Sequence, residues 1–216
     1  MKKLLLVSSI AAALAAPMFA HADSKSTTSV VTGSTASANL DFAIVIPSVL
    51  YIRIGAGNPV AAADNTTVNK LTFTVPAANI GDSTAIASLG GDLDAGAAVT
   101  VRIFSNFGTG VSLNAASTGA LTSTGGDTIP WTEIGITPSA LATPTAGYVN
   151  GTLPHPTLTA TAVTGNTPVA IAAVSKLVRQ EAKWTFKYLN TTTPVAGSYG
   201  ATGGTNGRLT YTVTQL

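Results

Sequence analysis

The chain has 216 residues, no cysteine and only 9 % charged side chains, 11 Lys and Arg against 9 Asp and Glu. Without cysteine there is no thiol nucleophile, no thiolate metal site and no disulfide to brace an exported domain. A charged fraction far below the usual figure of about a quarter leaves no basic cluster to neutralise phosphates, which excludes nucleic acid as a partner.

Lys2 and Lys3 open the chain, residues 4–16 are almost uninterruptedly apolar, and Pro17 then breaks the run. Ala20, His21 and Ala22 follow, with small residues at the two positions a signal peptidase inspects. This predicts a secretory signal peptide over residues 1–22, cut before Asp23. The apolar core is short for a hydrocarbon layer of about 30 Å, which argues against a membrane anchor. Loss of Lys2 and Lys3 leaves nine basic and nine acidic side chains, and His155 as the remaining histidine. The exported chain is therefore expected to be formally neutral, with the periplasm, the cell surface or the medium as its destination.

Residues 23–39 are rich in Ser and Thr and read as an N-terminal arm. Residues 40–216 are expected to form a single all-β domain. Residues 40–54, LDFAIVIPSVLYIRI, are the most hydrophobic part of the exported chain. Pro47 divides them into two short strands, or one strand bent at an edge. Both faces are apolar, so each needs cover from the core or a neighbour. Residues 66–75 alternate, with Leu71, Phe73 and Val75 opposite Thr72 and Thr74. Residues 98–104 do the same, with Val99, Val101 and Ile103 opposite Thr100 and Arg102. Val111 and Leu113 mark a short strand after a Gly108-Thr109-Gly110 turn, while residues 138–156 read as irregular.

The clearest element comes late. Val178, Ala182, Trp184, Phe186 and Tyr188 share one parity, and Arg179, Glu181, Lys183 and Lys187 take the other. That predicts a long half-buried strand with a solvated, charged outer face, with a helix over residues 169–182 as the rival. Leu209, Tyr211 and Val213 alternate with Thr210, Thr212 and Thr214 in a terminal strand. Eight to ten short strands between turn signals predict an antiparallel β-sandwich.

The sequence assigns no catalytic, cofactor-binding or metal-binding residue. His155, between Pro154 and Pro156, reads as a solvent-exposed loop residue, and no G-x-S-x-G motif accompanies it. Asp92 and Asp94, with Asp82 upstream, hold only the first part of a calcium loop and read as an acidic turn. Asn65 and Asn190 each open an N-x-T sequon and read as loop residues. Tyr51, Trp131, Trp184, Phe186, Tyr188, Tyr199 and Tyr211 read as core rather than as a ligand surface. The chain is not expected to be an enzyme.

Residues 207–216, GRLTYTVTQL, look like the final strand of chaperone–usher fimbrial (pilin-like) subunits. Gly203 stands 14 residues from the end, where that family carries a glycine, and the signal peptide, arm and β pattern are similar too. Gln215 stands where the family has an aromatic residue, and the family's common disulfide has no cysteines here. The resemblance implies an immunoglobulin-like sandwich lacking one strand, completed by a neighbour's arm, with a periplasmic chaperone as a further partner. The expected function is a secreted structural or adhesive surface protein, self-associating or joined to neighbouring surface subunits. The alternatives are a self-contained secreted β-sandwich and, third, a small outer-membrane barrel.

Overall fold

The computed structural model describes residues 23–28, 31–57, 64–200 and 205–216. The expected signal peptide and Gly203 lie outside the described residues. The chain divides into two units, Met1–Ile46 and Pro47–Leu216. In the first, residues 31–46 form no strand or helix. Leu40, Phe42, Ile44, Val45 and Ile46 are 69–92 % exposed. The strand expected before Pro47 is therefore not formed: its alternating apolar side chains are extended and uncovered.

The second unit is all-β. Its strands are β1 (Leu50–Ile54), β2 (Leu71–Thr72), β3 (Ile86–Ala87), β4 (Leu89–Gly90), β5 (Ala98–Ser105), β6 (Val111–Ala116) and β7 (Leu121–Thr122). They continue with β8 (Thr128–Ile129), β9 (Ile134–Ser139), β10 (Val149–Asn150), β11 (Val169–Ile171), β12 (Val178–Tyr188) and β13 (Thr210–Gln215). One sheet is built on β1–β5–β12, with β3, β9 and β10 also on β12; the facing sheet runs β11–β6–β13. Two small pairs, β2–β4 and β7–β8, complete the set. All pairings are antiparallel except β10 with β12. Among the described residues no sheet closes on itself.

The two sheets share one core because the period of two places one apolar set from each strand inward. Val99, Val101 and Ile103 of β5 and Val178, Ala182, Trp184 and Phe186 of β12 face Val111 and Leu113 of β6 and Ile171 of β11. The helix considered over residues 169–182 gives way to a tight turn. Ser175 and Lys176 adopt φ of 51° and 68°, and Val174 bridges Leu177, so β11 leads through a hairpin-like reversal into β12. The strand expected over residues 66–75 pairs only at Leu71 and Thr72, although its parity holds: Leu71, Phe73 and Val75 are half-buried and Thr72 and Thr74 exposed.

The outer face of β12 differs from expectation at Glu181, which is fully buried. The reason is the segment after β9, which carries β10 and folds over that face. The Arg102 Nε donates to Glu181 Oε2 at 3.0 Å, and the Thr145 amide donates to Oε1 at 2.7 Å. The guanidinium also donates to the Thr145 hydroxyl and lies 5.5 Å over the Tyr148 ring. Asn150 ties the segment together by bonding both backbone groups of Leu141. A lone charge left beneath this cover has no water to solvate it. Glu181→Leu is therefore expected to cost about 3 kcal/mol in urea unfolding, whereas the Arg102→Met/Glu181→Leu double variant recovers most of that loss. Equal stability of the single variant and the parent would refute the account.

Candidate functional site

Among the described residues, β13 pairs on one side only, with β6, and β1 is the edge of the larger sheet. An edge strand offers a row of backbone donors and acceptors to whatever extended chain comes beside it. Next to the start of β13 lie two adjoining cavities of about 550 and 510 Å³, sharing Leu71, Phe73, Leu121, Ile134 and Tyr199 in their walls. Val99 and Phe186 contribute from the larger sheet, Tyr211 from β13 and Leu209 from the residue just before it. The charged side chains bordering them are Lys70 and Arg208. The rim is tightly built: Gly90, at φ +95°, lies so close to β2 that a Cβ there would sit 2.0 Å from the Lys70 carbonyl oxygen. Together these form an apolar groove beside an open strand edge.

His155 is half-buried against the core aromatics rather than fully exposed in a loop as its flanking prolines suggest. Its ring centroid lies 4.6 Å from that of Trp184, 5.5 Å from Tyr211 and 6.2 Å from Phe186, all edge-on. Nδ1 is 2.6 Å from the Pro156 carbonyl and must donate to it, so the neutral ring accepts at Nε2 from the Tyr211 hydroxyl, 2.8 Å away. The ring thereby joins β12 to β13. Burial lowers its pKa from 6.5 to about 4, partly opposed by the bond to the Pro156 carbonyl. Burial likewise pushes the Tyr211 phenol above its ordinary range, which keeps it a neutral donor.

The acidic loop does not converge. Asp92 accepts from the Thr100 amide at 2.8 Å and pairs with Arg53 at 3.3 Å, while Asp94 pairs with Lys183 at 2.7 Å. Asp82 is held by Asn79, Thr84 and Asn190, and the bonds from Asn79 and Thr84 lower its carboxyl pKa. Among the described residues no three His, Asp or Glu side chains are grouped to hold a metal. Asn190 of the second sequon is buried, its amide donating to the Asn79 carbonyl, so it is closed to modification. Glu133 is buried and caps the Thr191 amide and hydroxyl.

Of the aromatic residues expected in the core, Trp131, Trp184, Phe186 and Tyr188 are buried, while Tyr199 is half-buried on the groove wall. The groove itself joins residues more than a hundred positions apart, which no local pattern announces. No helix among the described residues is long and apolar enough to cross a membrane. No protein-family model, no curated protein and no solved structure matches the chain.

The His155 environment sets a pH dependence. The folded pKa lies below the unfolded value, so between pH 6.5 and about 4 the unfolded chain binds a proton that the folded chain refuses. The neutral-ring contribution to stability is complete above pH 6.5 and is lost as the pH falls through that window, by up to about 3 kcal/mol. Urea titrations at pH 7, 5.5 and 4 are expected to show this acid slope in the parent and a shallower one in His155→Gln. Identical slopes would remove the assignment.

Proposed function

We propose that the protein is an exported structural subunit of a surface filament or layer, in which residues 40–46 of one copy add as a strand to the groove beside β13 of the next. The observation that carries this reading is the uncovered run in which Leu40, Phe42, Ile44 and Ile46 share one face and stand 69–85 % exposed. Burying such side chains stabilises by about 1.5–3 kcal/mol each, before the cost of ordering the segment. Seven extended residues reach about 23 Å, matching an edge strand of six residues at about 20 Å. Main-chain bonding to the open edge supplies affinity, and alternate side chains in apolar pockets supply specificity. The basic start, apolar run and small-residue site over residues 1–22 support export.

A second reading, a self-contained secreted sandwich, is favoured by the closed packing of the second unit's centre, where Trp184, Ile103 and Leu113 are fully buried. Sedimentation of the purified protein over a wide concentration range separates the two. The parent is expected to self-associate, and Ile44→Asp to weaken association more than a hundredfold, because a carboxylate would enter the apolar groove. A parent that stays monomeric at every concentration would favour the self-contained sandwich.

A further inference from the structure

Apolar matching alone leaves the register of an added strand loosely determined. A slip of one residue turns the apolar set outward and is strongly disfavoured, but a slip of two keeps every apolar side chain facing in. The charges on the two surfaces supply what the apolar contacts lack. The groove is bordered by two charged side chains, both basic: Lys70, one position before the inward-facing Leu71, and Arg208, one before Leu209. Both are exposed, as their outward parity requires. Residues 40–46 hold a single charge, the acidic Asp41, whose parity is opposite to that of Leu40, Phe42, Ile44 and Ile46. A strand that buries those four side chains therefore turns Asp41 out of the groove, toward the rim that Lys70 and Arg208 border.

We infer that Asp41 of one copy pairs with the Lys70 and Arg208 of the copy it enters, and that this contact at the rim fixes the register of the added strand. The inference rests on the strand-addition reading above. Opposite charges across neighbouring strands favour one alignment by a few-fold, and like charges disfavour it by a similar factor. At an exposed rim the contact acts strongly on the association rate and weakens as salt shortens the screening length from about 10 Å at 0.1 M.

Sedimentation and association kinetics of the purified chain in low and high salt test this. Asp41→Lys is expected to weaken self-association about tenfold in low salt and to approach the parent in 1 M salt. The combined Asp41→Lys/Lys70→Glu/Arg208→Glu chain is expected to recover most of the loss. The intrinsic fluorescence of the buried Trp131 and Trp184 confirms folding of each variant, since all three substituted positions are exposed. If Asp41→Lys associates like the parent while Ile44→Asp does not associate, the register role fails and strand addition stands. If Ile44→Asp also associates like the parent, strand addition fails and the inference falls with it.

Discussion

The hydrogen bond from the Trp184 indole to the Leu153 carbonyl, 2.7 Å long and fully buried, organises much of what lies around it. An indole at the centre of a sandwich must have an acceptor, and none of the apolar side chains packed against it can provide one. The acceptor comes from the chain itself, in a segment anchored on the core by the buried Leu153 and Pro156. That anchoring places His155 against Trp184, and the only tautomer able to satisfy both ring nitrogens draws the Tyr211 hydroxyl onto the ring. β13 is consequently attached in two ways, by its ladder to β6 and by this aromatic latch to the opposite sheet. One polar atom on one core side chain thus positions the strand that borders the groove.

Legibility in the sequence follows the range of the interaction. The alternation of residues 178–188 was readable because a strand's facing pattern is local, and all its inward side chains except the half-buried Gln180 are buried. Glu181 was not, because its burial depends on a segment some 36 positions earlier closing over it. Flanking prolines suggest an exposed His155, whereas the indole's bond to Leu153 draws its ring half-buried against the core. Residues 40–46 were readable as apolar and extended, and their lack of cover was not, since exposure depends on what the remainder of the chain leaves unpaired. The ion pairs that Asp92 and Asp94 make with β1 and β12 depend on pairing distant in sequence, which the local acidic turn does not announce.

The few charges are unevenly used. Arg53–Asp92, Arg102–Glu181 and Lys183–Asp94 lie within 4 Å of each other's partner atoms, and the first two pairs are largely shielded from water. Arg53 and Arg102 sit directly opposite in the β1–β5 ladder, a like-charge arrangement that is tolerable because each has its own carboxylate. Six charged residues are committed to the ion pairs on this sheet face, and at 9 % charged residues the chain leaves the rest of its surface at low charge density. Such a surface generates little long-range repulsion between copies, and so does little to oppose close association.

Edge strands in monomeric proteins are commonly protected by a lysine, a proline, a bulge or an inward charge. β13, TYTVTQ, has none of these side chains, and its six residues stay in regular register with β6. Residues 40–46 are in the same condition, extended and apolar, with one charge among seven residues. Each feature alone would be an aggregation hazard. A defined partner turns the hazard into a specific contact, and the two are complementary in length, in apolar periodicity and in charge. In the strand addition proposed above, a groove bordered by two bases and a strand carrying one acid would select register as well as depth.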